Sequence, residues 1–174
     1  MDSSNYFENL TRSVAVARIL LQKAHENQSV IEGICLYVSI IDAFLRLSII
    51  YTRTQKSPNY TYSVEKKMIY QDEGEKTYSE KDIYNTSLEE KIISPSLYER
   101  LQEMHLFRNK VVHRFNISDI NYIQIAEACT EFESIYKEIF DIVAFLEHGS
   151  KGIPEMEPEE MKNFEKHMIK KIGK

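Results

Sequence analysis

The side chains that could take part in catalysis or ligand binding are concentrated in one stretch of the chain, from His105 to His113. Within it, Arg108 offers a planar set of N–H donors, Asn109 an amide, and His113 an imidazole that can act as a general acid or base. His105, Asn109 and His113 are spaced by four residues and therefore share one helical face. Arg108 and His113 are five residues apart, which is about 140° around an ideal helix. A long arginine side chain, a helix end or a second protomer could bring these two residues together.

A metal site is one interpretation of His105 and His113, but the sequence does not favour it. The third ligand is missing, and there is no His-Glu-x-x-His zinc pattern. Cys35 and Cys129 both fall within apolar runs that read as helices, which predicts two buried thiols rather than a disulfide framework or a zinc site. We therefore expect no metal and no other cofactor.

The spacing of apolar residues predicts an all-α fold, an up-and-down bundle of four to five main helices. Capping-box patterns at Asn5 and Ser29 open the first two helices, and the second is expected to run to about Thr52. Ser94, followed by proline, opens a helix that runs to about Phe115. After a break and a new cap at residues 116–119, a fourth long helix is predicted, because apolar residues from Tyr122 to Leu146 recur in steps of three and four, and Gly149 is expected to end it.

The domain prediction is a bundle over residues 1–150 with a polar, tyrosine-rich insertion at about 55–93. The insertion shows no long periodicity, and we expect one or two short helices in it, one of them starting at Ser87. Alternation around Tyr60 and Tyr62 also leaves a short hairpin open. Residues 151–174 are predicted to be a linker followed by a short helix over about 159–171.

Composition limits the classes of function. A chain of 174 residues with a net charge of −5 is not a strongly basic nucleic-acid binder, so contact with RNA must come from a local patch. The longest apolar run carries Glu32, Asp42 and Arg46, which argues against a membrane span. The first residues show neither a basic segment nor an apolar one, so no signal peptide is predicted and we expect a cytoplasmic protein.

Two charged residues occupy positions at which the helical pattern requires Leu or Ile. Asp42 lies on the apolar stripe of the second helix, and Arg108 lies on that of the helix after Ser94. Burying either alone would cost several kcal/mol. One hypothesis is that the Asp42 carboxylate faces Arg108 and orients it. The alternative is that Asp42 pairs with Arg46, four residues further on, while Arg108 extends towards solvent.

The segment Arg108-Asn109-Lys110-Val111-Val112-His113 resembles the Arg-x4-6-His signature of the HEPN superfamily, in which a polar residue, commonly Asn, follows the Arg. In that family the motif lies on a helix of a four-to-five-helix bundle. The resemblance in residues covers one helix, and the resemblance in pattern covers about residues 5–148. It implies a metal-independent endoribonuclease of the kind found in bacterial toxin–antitoxin, abortive-infection and CRISPR systems.

The resemblance also implies roles for the motif residues. Arg108 would hold the scissile phosphate and stabilise the charge of the transition state. His113 would act as general acid or base, and Asn109 would position one of these two. Family members typically dimerise so that two motifs meet in one cleft, and the expected product is a 2′,3′-cyclic phosphate. Asp42 would support Arg108.

One departure concerns regulation. In the toxin subgroup that a nucleotidyltransferase antitoxin neutralises, the motif continues His-x-Tyr and that Tyr is modified; here the position is Phe115. This puts that route of control in doubt, although an antitoxin or another regulatory protein remains a possible partner.

Lys110 and Arg114, with Arg100 upstream, give the helix a basic bias that could face RNA, although solvated charges have the same pattern. The alternative to an enzyme is a HEPN-like module that binds nucleotides, RNA or protein without cleaving.

Overall fold

The protein is an all-α helical bundle, as the sequence predicts. The structure, a computed structural model, describes residues 3–57, 66–71, 74 and 76–148, and these contain six α-helices and no strand. A 3₁₀ turn, Phe115–Ile117, separates the last two helices. The helices are α1 Ser3–Glu26, α2 Val30–Lys56, α3 Lys66–Ile69, α4 Glu80–Glu89, α5 Pro95–Arg114 and α6 Tyr122–His148.

Helix α2 is the centre of the bundle. It packs most extensively against α6 and α1, and it also contacts α4 and α5. By length and composition alone α2 could cross a membrane, but 72% of its most apolar window is buried inside the bundle. Such burial is what a core helix of a globular protein shows, because an apolar surface on all sides must be covered by neighbouring helices.

The ends of α1 and α2 differ from the predicted caps. Asn5 does not open the first helix, because α1 already begins at Ser3 and Asn5 lies inside its first turn. Ser29 is the N-cap residue of α2 as predicted, but its side chain makes no capping hydrogen bond. The predicted box with Glu32 is therefore not formed. Helix α2 also runs four residues beyond Thr52, to Lys56.

The described part of the insertion contains two short helices, α3 and α4, as predicted, but neither begins at the predicted residue. Helix α4 begins after Ser79, ten residues from Glu80 to Glu89, so the predicted start at Ser87 is wrong. A capping box opens α4: Ser79 Oγ accepts from the backbone N–H of Asp82 at 3.2 Å, and Asp82 accepts from the backbone N–H of Ser79 at 2.8 Å. Ser87 is fully buried near the other end, where its hydroxyl donates to the carbonyl of Ile83 at 2.8 Å.

The predicted start of α5 is confirmed. Ser94 accepts from the backbone N–H of Leu97 at 3.1 Å, with proline in the first turn. Helix α6 opens further along than the predicted break, since Asn121 and Gln124 cap each other through side chain and backbone. The buried part of its predicted stripe comprises Ile125, Phe132, Ile139 and Val143.

Not every residue on a predicted apolar stripe is buried. Cys35 is exposed, so the predicted buried thiol at that position is wrong, and Cys129 is only partly buried. Ile31, on the same stripe of α2, is also exposed. At the N-terminal end of α2 this face borders an open cleft instead of another helix, since Cys35 and Val38 line that cleft. Tyr60, Tyr62 and the predicted C-terminal linker and helix lie outside the described residues.

Candidate functional site

The side chain at the centre of the candidate site is Glu80, the first residue of α4. Both of its carboxylate oxygens accept hydrogen bonds from Nη2 of Arg108. Its Oε2 also lies 2.8 Å from Nδ1 of His105, one turn before Arg108 on α5. All three side chains are largely buried, with 26% of Glu80, 18% of Arg108 and 15% of His105 exposed. One carboxylate from the insertion therefore holds two functional groups of the motif helix.

A second hydrogen bond extends this network to Asn109. The Nδ2 atom of Asn109 lies 3.0 Å from Nε2 of His105. An amide nitrogen only donates, so Nε2 of His105 accepts, and the proton on this ring is on Nδ1, where it is donated to Glu80. The amide of Asn109 is thereby oriented, and its carbonyl oxygen remains an acceptor for another donor. The face predicted to carry His105 and Asn109 is confirmed as a connected polar row.

The predicted ion pair between Asp42 and Arg108 is not formed. Asp42 instead binds Arg46, with Oδ2 2.6 Å from Nε and Oδ1 3.3 Å from Nη2. Arg46 also donates to the backbone carbonyls of Met68 and Tyr78, and so ties the insertion to α2. The physical reason is proximity, because Arg46 lies one helical turn from Asp42 on the same face of α2, whereas the Arg108 guanidinium is already paired with Glu80. The alternative hypothesis, that Asp42 pairs with Arg46, is confirmed. Its second part, that Arg108 extends towards solvent, is wrong, because Arg108 binds the carboxylate of Glu80.

Asp42 nevertheless belongs to the surroundings of the site. An open cleft of about 270 Å³ between α2 and α5 is lined by Asp42, Glu80 and Arg108, together with Cys35, Val38, Ser39 and Val112. Burial raises the pKa of Asp42 above its ordinary value, against the opposing effect of Arg46, and the nearby Glu80 raises it further. The cleft therefore contains two carboxylates and one guanidinium in a partly desolvated setting.

Tyr84 packs the insertion against the motif helix. Its ring is 98% buried and meets the His105 ring edge-on, with 6.4 Å between the centroids. Burial raises the pKa of Tyr84 far above its ordinary value, and the charges of Glu80 and Asp42 act in the same direction. Tyr84 is consequently a neutral wall that fixes the plane of the His105 ring.

His113 does not join the network. It lies in the last turn of α5, it is exposed, and no other side chain in the described part of the chain pairs with it. This agrees with the angle of about 140° between Arg108 and His113 on an ideal helix. Within one chain, the structure brings Arg108, Asn109 and His105 together and leaves His113 apart.

Of the three basic residues with a predicted RNA-facing role, one is engaged elsewhere. Arg100 binds Glu131 at 2.6 Å and Glu138 at 2.7 Å on α6, so it holds two helices together. Lys110 and Arg114 are exposed and take part in no ion pair within the described residues. The basic bias that remains near the site thus consists of Lys110 and Arg114, which flank His113 in the sequence.

Sequence reasoning missed Glu80 and the role of His105. The contact between Glu80 and Arg108 spans 28 residues and an insertion without long periodicity, so no local pattern places the two together. The Ser79-x-x-Asp82 spacing is the one signal that could have found it, because a capping box there puts Glu80 in the first turn of a helix.

Comparison with protein-family models, with curated proteins and with solved structures finds no match to this chain. Among the described residues, no group of three or more His, Cys, Asp or Glu side chains is placed to hold a metal ion. The HEPN resemblance consequently rests on the motif and on its place in a helical bundle.

Proposed function

We propose that this protein is a metal-independent endoribonuclease of the HEPN type, acting in a toxin or antiviral-defence setting. The observation that carries the proposal is the pre-organised set of Arg108, Asn109 and His105 on a helix with Arg-x4-His spacing, in which Arg108 lines an open cleft. Pre-organised donors are what a phosphoryl transition state requires, because they stabilise developing charge without reorganising during the reaction.

The proposed reaction is attack of the ribose 2′-hydroxyl on the adjacent phosphorus. A general base removes the 2′-hydroxyl proton, and a general acid protonates the departing 5′-oxygen, which leaves a 2′,3′-cyclic phosphate and a 5′-hydroxyl end. Arg108 binds the phosphate oxygens, and exposed His113 serves as acid or base. Asn109 offers its carbonyl oxygen as a positioning acceptor.

A homodimer completes this site. The reaction needs both an acid and a base, each chain supplies one motif, and His113 lies away from Arg108 within a chain. Val112, Phe115 and Ile117 are exposed around His113 at the end of α5 and in the turn after it, with Ile117 83% exposed. Burying such apolar residues in a contact between two copies favours association. Two His113 side chains would then face one cleft.

A second candidate function is a HEPN-like module that binds RNA, nucleotides or protein without cleaving. It is favoured by one observation: Glu80 neutralises Arg108, and His113 is apart from it within one chain. A single chain thus presents Arg108 without His113, the proposed acid or base, beside it.

Cleavage of total RNA in the presence of EDTA tests the first function. The wild-type protein should cut RNA and leave cyclic phosphate ends, whereas Arg108→Ala and His113→Ala should lose at least about 100-fold in rate. Arg100→Ala is the matched control, since Arg100 is also a partly buried, ion-paired arginine of α5 but contacts α6 instead of the site. A His113→Ala variant as active as the wild type would refute the mechanism. Binding of RNA without any cleavage would support the second function.

A further inference from the structure

Glu80 lies in the insertion, for which the sequence suggested no function, yet it touches two side chains of the motif helix. The capping box of Ser79 and Asp82 fixes the first turn of α4, and buried Ile83 and Tyr84 anchor that turn against the bundle. The position of the Glu80 carboxylate is therefore set by backbone structure and core packing.

The hydrogen bonds of Glu80 leave part of Arg108 available. Glu80 accepts from Nη2 alone. Nη1 of Arg108 has no hydrogen-bond partner in the described part of the chain, while Nε is buried without one. A guanidinium held at one nitrogen keeps its plane fixed and can still donate to a phosphate oxygen from another.

The second contact of Glu80 selects one form of His105. A carboxylate at Nδ1 holds the proton on that nitrogen, which makes Nε2 an acceptor and directs the Asn109 amide to it. Without the carboxylate, the ring could carry its proton on Nε2, and Nε2 would then require the carbonyl oxygen of Asn109 instead of its NH₂ group. The orientation of the Asn109 amide is thus coupled to Glu80 through one imidazole.

We propose that Glu80 is the positioning residue of the site, which fixes the Arg108 guanidinium for a phosphodiester and, through the His105 tautomer, orients the Asn109 amide. This inference rests on the proposed ribonuclease function for its catalytic consequence, but not for the geometry itself. Glu80 does not touch the reacting atoms. It lowers the net charge presented to phosphate, so it contributes to rate by orientation and not by attraction.

Two measurements on Glu80→Gln test the positioning role. The variant should reduce kcat by roughly 10-fold to 100-fold, the usual effect of misplacing a catalytic group, while KM stays the same or falls because Arg108 becomes more positive towards phosphate. The matched control is Glu90→Gln, at the other end of α4, where a similarly buried carboxylate binds Arg53 at 2.6 Å. It should leave both kinetic constants unchanged. An unchanged or higher kcat in Glu80→Gln would overturn the proposal, the latter because Glu80 would then be a competitor of phosphate.

The tautomer of His105 is read separately from ¹⁵N–¹H correlation spectra of the imidazole rings. The wild-type protein should show the Nδ1–H form for His105, Glu80→Gln should lose it, and Glu90→Gln should keep it. An Nε2–H form in the wild-type protein would overturn the proposal even if Glu80→Gln does not fold. If the wild-type protein cleaves no RNA, the ribonuclease function fails, and the tautomer alone then decides whether Glu80 positions His105 and Asn109.

Discussion

A buried guanidinium is stable only when its charge is compensated and its N–H groups find acceptors. The carboxylate of Glu80 compensates the charge of Arg108 and accepts from its Nη2, and it also accepts from His105, while Nε of Arg108 is buried without an acceptor. The removal of either member of such a pair leaves the other charged and partly desolvated, which typically costs about 3–5 kcal/mol for a buried pair and less at this partial exposure. The Glu80 pair is therefore both the structural support of Arg108 and the reason for its orientation.

Asp42 provides a test at the scale of one residue, through the dependence of stability on pH. Burial raises its folded-state pKa above the value of about 3.9 in an unfolded chain. The folded protein consequently binds this proton more readily, and the resulting stabilisation appears as the pH falls through the folded pKa towards 3.9. We expect the free energy of unfolding of the wild-type protein, minus that of Asp42→Asn, to increase as the pH is lowered. Urea denaturation at neutral and mildly acidic pH measures this difference.

Asp82 supplies a control of opposite sign. Hydrogen bonds from the side chain and backbone of Ser79 lower its pKa, so its contribution to stability is present at neutral pH and is lost as the pH falls through the folded pKa. The free energy of unfolding of the wild-type protein, minus that of Asp82→Asn, should therefore decrease as the pH is lowered. Curves for Asp42→Asn that run parallel to those of the wild-type protein would show that Arg46 fully offsets the burial of Asp42.

How much of the site could be predicted depends on sequence distance. Arg108, Asn109 and His113 lie within six residues of one helix, so their spacing indicated both a motif and the divergence of His113 from Arg108. The partner of Arg108 could not be predicted, because Glu80 reaches it across two helix boundaries. Asp42 was a reasonable candidate, since it lines the same cleft, but a local arginine was closer.

At the scale of the helices, the long helices could be predicted from the sequence, whereas the start of a short one could not. Helices α1, α2, α5 and α6 have 20 or more residues each, and the apolar period repeats often enough there to outweigh single exceptions. Helix α4 has ten residues. Its terminal Ser87 resembles an N-cap in sequence, but it is buried and bonds to its own helix, which no local pattern distinguishes.

The caps of α2 and α4 give a prediction at this scale. Ser79→Ala removes the hydrogen bond that the Ser79 hydroxyl accepts from the backbone N–H of Asp82, so we expect a loss of about 1 kcal/mol in the free energy of unfolding. Ser29→Ala, at an N-cap whose side chain makes no such bond, should change it by less than about 0.5 kcal/mol. Chemical denaturation of both variants measures the two values. Equal losses would mean that the Ser79 box adds nothing to the helix.

For the whole molecule, the distribution of charge matters more than its sum. A net charge of −5 opposes general attraction to RNA, and the charge of Arg100 is paired with Glu131 and Glu138 of α6. The exposed Lys110 and Arg114 remain beside the exposed His113 at one end of α5. Apolar side chains are exposed at the same end, so the groups that would contact RNA and those that would contact a second chain lie next to each other.

This arrangement predicts that assembly and activity are lost together. Ile117 is 83% exposed in the turn after α5, so Ile117→Asp should leave the fold intact while placing a charge in the proposed contact between two copies. We expect the variant to be a monomer by light scattering at micromolar concentration, and to cleave RNA at least about ten times more slowly than the wild-type protein, because the second motif is missing from the cleft. Phe145→Asp is the matched control: Phe145 is also an exposed apolar residue, but it lies near the far end of α6, over 20 residues from its start. It should leave both the mass and the rate unchanged. A wild-type protein that is monomeric and fully active would refute the composite site, and would require His113 to reach Arg108 within one chain.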